Sequence, residues 1–165
     1  AQFQLGGKII SLNPGVELNV ILDEIVNELR VGAEVKEIYL KFKKPEKIFL
    51  IEADKEKLKA ALFNIIDNSI KYTIKGGVDI EIENQNTVKI IVSDTGIGIS
   101  PEKIKNLFNQ ISRNEEQDFK MSATGHGVGL YLANQIVKAH NGRIWVESKG
   151  ENKGSVFYIE LPYKN

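Results

Sequence analysis

The sequence predicts a two-layer α/β sandwich in which a mixed, mostly antiparallel sheet carries its helices on one face. Three observations predict it. Alternating apolar runs come in neighbouring pairs whose connections are too short for parallel crossovers. The helical segments each carry one apolar stripe, which a sheet can cover. Finally, 165 residues with 42% hydrophobic and 27% charged side chains fit one globular domain, with no internal repeat and no low-complexity stretch.

In chain order, "GKIISLN" (7–13) reads as a first short strand, punctuated by Pro14-Gly15. Leu18, Ile21, Leu22, Ile25, Val26 and Leu29 then fall on one face of a helix. "EIYLKFKK" (37–44) alternates apolar and charged residues, Lys44-Pro45-Glu46 turns, and "KIFLIEA" (47–53) follows, so the two read as a hairpin. Asp54 is positioned to N-cap a long helix to about Thr73, which Gly76-Gly77 ends. "VDIEIEN" (78–84) and "TVKIIVSD" (87–94) make a second hairpin around Asn84-Gln85-Asn86. After "DTGIGISPEKIKNLFNQ", a loop with a short helix, comes a polar, aperiodic stretch from Ser112 to Thr124, expected to be a mobile lid. A final helix is predicted from about Val128 to Ala139. "GRIWVESK" and "GSVFYIELP" close the chain as a hairpin.

Composition narrows the function classes. Basic and acidic residues balance at 22 each, so no global charge draws the chain to nucleic acid or an anionic membrane, and any anion must be held locally. The absence of cysteine excludes disulfides and thiolate metal sites and suits a reducing cytosol. Apolar runs such as Ile48–Ile51 fall far short of the roughly 20 residues that span a bilayer. With Ala1 first and Met121 as the one methionine, the chain is expected to be a piece of a longer protein.

Three constellations carry chemistry. In "FNIIDNSIKYT" (63–73), Asn64, Asn68 and Lys71 fall within a stripe about 60° wide, with Tyr72 beside it, away from the apolar stripe of Leu58, Leu62, Ile65 and Ser69. Asparagine is a poor helix-interior residue, so the flank is either solvated surface or a ligand site. In "DTGIGI", Asp94 ends an apolar strand ahead of Gly96 and Gly98. That pattern suits either an aspartate-capped turn or an acceptor for a base's amine with backbone free to approach a flat ligand. In "GHGVGL" (125–130), Gly125, Gly127 and Gly129 precede a helix, whose free N–H groups and dipole favour phosphate; a plain hinge is the alternative. The spacing matches neither a dinucleotide fingerprint nor a P-loop.

Together, "NIIDNSIKYT", "DTGIGI", "LFNQISR" and "GHGVGLYLANQIVKAHNGRIWVES" resemble, in order and spacing, the N, G1, F and G2 boxes of the catalytic domains of sensor histidine kinases. That family shares a superfamily with gyrase and the heat-shock chaperone ATPases. The resemblance runs from about Leu12 to Pro162. It implies a Bergerat-type fold over residues 1–165, with an ATP lid at about 109–127 and a site for ATP or ADP with Mg²⁺. By that resemblance, Asn68 ligates Mg²⁺ with Asn64 beside it at the metal or its water, Lys71 meets phosphate and Tyr72 borders the nucleotide. Asp94 accepts from the adenine amine, Gly96 and Gly98 give the base room, and Arg113 approaches the γ-phosphate. Gly125, Gly127 and Gly129 wrap the phosphates, and Ile99, His126, Val128 and Leu130 join the nucleotide-binding positions.

The implied activity is transfer of the γ-phosphoryl group to a histidine on a separate dimerisation domain of the same protein, expected upstream, and from there to a response regulator. Neither His126, in the glycine loop, nor His140, at the final helix's end, is placed as that acceptor. The implied domain is cytoplasmic and monomeric in isolation, without nucleic acid as partner, in a parent expected to be a homodimer, membrane-anchored or not. Superfamily members that hydrolyse ATP carry glutamate where Asn64 stands, and an amide is no general base, so hydrolysis should be poor. Ile111 and Ser112 stand where the F box usually has aromatics, and His126 replaces a usual threonine. Those departures favour the rival readings of a non-catalytic nucleotide sensor or scaffold, while an ATPase or serine kinase of the superfamily is disfavoured by Asn64.

Overall fold

The computed structural model describes residues 2–5, 8–108 and 129–164. The chain runs β1 (Gln2–Leu5), β2 (Lys8–Ser11), β3 (Asn13–Glu17), α1 (Leu18–Val35), β4 (Tyr39–Phe42), β5 (Leu50–Ala53) and α2 (Lys55–Lys71). It continues through β6 (Gly77–Gln85), β7 (Thr87–Asp94), α3 (Pro101–Asn106), α4 (Gly129–Ala139), β8 (Arg143–Glu147) and β9 (Ser155–Pro162). Five strands form the main sheet in the order β4-β6-β7-β9-β8. All its pairings are antiparallel except β4 with β6.

Alternation decides which face of that sheet is covered. Leu40, Val78, Ile80, Val88, Ile90, Val92, Val146, Phe157, Ile159 and Leu161 are all buried on one side and form one core with Ile21, Leu22 and Ile25 of α1, Leu58, Leu62 and Ile65 of α2, and Ala133 and Val137 of α4. The other face carries charged residues and a cross-strand aromatic pair, Trp145 stacked on Tyr158 at 5.1 Å. The two-layer sandwich expected from the sequence is therefore present, as are the hairpins β6–β7 and β8–β9.

Two expectations are corrected. The segments 37–44 and 47–53 are not a hairpin: β4 pairs parallel with β6, while β5 pairs antiparallel with β3 in a separate ribbon. The Lys44-Pro45-Glu46 turn thus separates two sheets, and β5 with α2 forms the crossover that a parallel pair requires. Pro14-Gly15 also does not end the first strand. They lie within β3, where Gly15 takes φ +71 and the register shifts between Asn13 and Val16, a bulge on a two-stranded ribbon that tolerates both residues.

The ends of the helices are specified by side chains as well as by backbone. Asp54 N-caps α2, its Oδ1 accepting from the Lys57 N–H at 3.2 Å, while its Oδ2 accepts from the Ser11 N–H at 3.1 Å. Its own N–H donates to His140 Nε2 at 3.0 Å, which ties the start of α2 to the end of α4. Helix α1 ends in a Schellman motif: the Ile38 N–H donates to Ala33 O at 3.1 Å and the Glu37 N–H to Glu34 O at 2.9 Å. Glu37 occupies the left-handed position at φ 60, where a Cβ is unfavourable.

Glu37→Gly should therefore stabilise the domain by about 0.5–1 kcal/mol, the relief of the left-handed Cβ exceeding glycine's extra unfolded-state entropy. Urea denaturation checks this; an unchanged or lowered midpoint would show that Glu37 holds its conformation without strain.

Candidate functional site

Helix α2 is laid across the sheet by Leu58, Leu62, Ile65 and Ile66, all buried, and this sets where its polar residues fall. Asn64 is only 5% exposed. Asn68 and Lys71 are half-buried on the same flank, and Lys71 Nζ lies 5.3 Å from the centre of the Tyr72 ring. Ser69 adds a hydroxyl that is fully buried yet has no partner. Buried polar atoms are costly unless hydrogen-bonded, so the nearly buried Asn64 amide suits a ligand or its water, whereas the Ser69 hydroxyl lies on the core-facing stripe.

Asp94 closes β7, and three donors orient its carboxylate. Oδ1 accepts from the Gly96 N–H at 2.9 Å and the Ser155 N–H at 3.2 Å, and Oδ2 accepts from the Ser155 hydroxyl at 2.7 Å. Each carboxylate oxygen has two lone-pair directions, so Oδ2 retains acceptor capacity.

Gly96 is where this strand end meets α2. A Cβ there would lie 2.5 Å from Tyr72 O, 2.8 Å from Asp94 Oδ1 and 3.1 Å from Thr73 Oγ1. The carboxylate and the last turn of α2 thus converge on one point. A Cβ on Gly98, at φ +75, would strike Gly150 O. The space these glycines leave is therefore taken by this chain's own backbone, so they let the loop lie flat against Tyr72 and Gly150. Further contacts fasten it: Ile97 N–H to Tyr72 O at 3.1 Å, Asn152 N–H to Ile97 O at 2.7 Å, and Gly154 N–H to Gly96 O at 3.1 Å. The Ile99 N–H donates to Ser148 Oγ at 3.0 Å, and that hydroxyl donates to Gly154 O at 2.7 Å.

Gly129 begins α4 at φ +72, and Leu130 is buried in the core. Arg113, Gly125, His126, Gly127, Val128 and the segment 109–127 lie outside the described residues. His140 is 3% exposed. Its Nδ1 is 2.8 Å from Ile136 O and its Nε2 accepts from Asp54, so both ring nitrogens are used structurally.

Residues 53–165 match the family model described as histidine kinase-, DNA gyrase B- and HSP90-like ATPase. The chain belongs to this family. Among curated proteins it is 34% identical over 152 residues to the adaptive-response sensory kinase SasA of Synechococcus sp. (strain JA-3-3Ab), covering 88% of this chain and 38% of that one. To the SasA kinase of Gloeothece citriformis (strain PCC 7424) it is 35% identical over 167 residues, covering 98% and 39%. The chain thus spans about two-fifths of these relatives' length.

Among solved structures of the family, full-length ShkA in complex with AMPPNP superposes with TM-score 0.78 at 25% identity, over 94% of this chain and 32% of that one. The mycobacterial sensor histidine kinase MprB gives 0.76 at 22%, over 93% and 99%. Histidine kinase ThkA in complex with response regulator protein TrrA gives 0.75 at 23%, over 94% and 43%. The asparagine flank, Asp94, Gly96 and Gly98 were singled out from sequence as candidates, whereas the bonds that Ser155 and Ser148 make to this region were not foreseen. Nothing local marks a serine that acts on a carboxylate 61 residues away.

Ser155→Ala removes one of Asp94's three donors while leaving the backbone N–H in place. ADP affinity measured by calorimetry should fall roughly fivefold, about 1 kcal/mol, with the unfolding midpoint nearly unchanged. An unaltered affinity would mean that the hydroxyl does not set the carboxylate's orientation.

Proposed function

We propose that this domain binds Mg-ATP and transfers the γ-phosphoryl group to a histidine on a separate dimerisation domain, which then charges an aspartate of a response regulator. The observation that carries this reading is the convergence of the oriented Asp94 carboxylate with the asparagine-bearing end of α2. Asp94 accepts from the adenine amine through the remaining lone pair of Oδ2. Asn68, with Asn64 beside it, presents amide oxygens, the hard ligands that suit Mg²⁺. An ion held by these amides would supply charge neutralisation to the phosphates during transfer. Lys71 meets phosphate at the helix end and Tyr72 borders the nucleotide; Arg113 and the glycines 125, 127 and 129 are assigned to the phosphates by the family resemblance alone.

The reaction forms a nitrogen–phosphorus bond to imidazole as the β,γ-bridging P–O bond breaks, with ADP leaving and the imidazole proton lost to solvent. Imidazole is its own nucleophile, so the site needs no general base, and Asn64 offers none. His140 is disfavoured as the acceptor because both its nitrogens are engaged in the core. That SasA relatives are sensory kinases, and that ThkA assembles with a response regulator, supports the same route. No helix among the described residues is long and apolar enough to cross a membrane.

Asp94→Asn should weaken Mg-ADP binding by about 1–3 kcal/mol by disrupting a partly buried acceptor, and Asn68→Ala should abolish Mg²⁺-dependent transfer to an added helical-hairpin acceptor domain while the domain stays folded. Retained transfer by Asn68→Ala would sink the metal role. Brisk phosphate release by the wild type with no acceptor present would favour the ATPase reading instead.

A further inference from the structure

The last turn of α2, which carries Lys71 and Tyr72, is held from outside the helix by Lys36. The final carbonyls of an α-helix have no partners within it and collect the negative end of the helix dipole. Lys36 Nζ donates to Ile70 O at 2.6 Å and to Lys71 O at 2.8 Å, reaching across from the end of α1. The backbone that presents it is itself fixed: its N–H bonds to Gly32 O, and the Schellman bonds of Glu37 and Ile38 follow at once. Burial pushes the Lys36 ammonium down from its ordinary range, and the charge of Asp67, one turn back on α2, opposes that shift. The side chain is thus partly desolvated to serve two carbonyls, a geometry a surface lysine would not adopt without gain.

The turn it holds connects directly to the rest of the site. The Tyr72 N–H bonds to Asn68 O, and Tyr72 O receives the Ile97 N–H of the loop after Asp94. We propose that Lys36 is a positioning residue, which anchors the C-terminal turn of α2 so that Lys71 and Tyr72 are held where they meet bound nucleotide. This rests on the nucleotide-binding reading given above. A cation that merely capped a helix would add stability and nothing else. One that positions Lys71 adds affinity that depends on Lys71 being present.

The test is a double-mutant cycle read by calorimetry with Mg-ADP, at a temperature where every variant is folded. Lys36→Met should weaken Mg-ADP about tenfold, and Lys36→Arg, which keeps the charge and the donors, should stay within about threefold of wild type. On a Lys71→Ala background, Lys36→Met should cost no more than about twofold. Amide hydrogen exchange without nucleotide should show the Tyr72 and Thr73 N–H groups losing protection in Lys36→Met. Should Lys36→Met fail to fold, Lys36→Gln, which keeps a shorter donor, takes its place in the cycle with the same expected pattern. Lost protection with wild-type affinity would overturn the positioning role and leave only a cap. An equal loss in both backgrounds would overturn the route through Lys71. A wild type that binds no Mg-ADP would instead overturn the nucleotide reading itself.

Discussion

The site depends on how one carboxylate is held. Asp94 stands at the end of a central strand, where an aspartate left to itself would turn to water or cap its own turn. Here Oδ1 does cap its own turn through the Gly96 N–H, and the Ser155 N–H and hydroxyl add donors from the start of β9 that fix both oxygens. Antiparallel pairing of β7 with β9 places Asp94 opposite Ser155. The main-sheet register therefore also sets the partners of this candidate site residue, and slipping it by one residue would turn Ser155 to the other face.

Helix α2 is constrained to match. Its start is tied by Asp54 to β2 and α4, its middle is buried against the sheet, and its end is gripped by Lys36. A helix fixed at both ends cannot rotate, so Asn64 and Asn68 keep their place on one flank, beside the loop that follows Asp94. The flat loop from Gly96 to Ile99 adds rigidity through backbone bonds to Tyr72 and to the β8–β9 connection.

Local patterns in the sequence made much of this legible, and the exceptions share a cause. Alternation identified the hairpins β6–β7 and β8–β9 because the partners are adjacent in the chain. The same alternation identified residues 37–44 and 47–53 as strands but said nothing of their partners, which lie in two different sheets. The asparagines, Asp94 and the glycines could be proposed as candidates because their spacing is local. Ser155, Ser148 and Lys36 were not, since each acts on groups brought near only by folding. Gly96 and Gly98 were legible as close-approach residues, but what approaches them in the fold is this chain's own backbone.

The purine's own chemistry gives the most direct test of Asp94. A carboxylate held by three donors has only acceptor capacity to offer, so it should select a base with an amine at the exocyclic position. Comparing ADP with IDP, which presents a carbonyl there, by calorimetry at saturating Mg²⁺ should show ADP binding about 10- to 100-fold tighter, the 1–3 kcal/mol range of a buried polar group left unpaired. Equal affinities would contradict the assignment of Asp94 to the base.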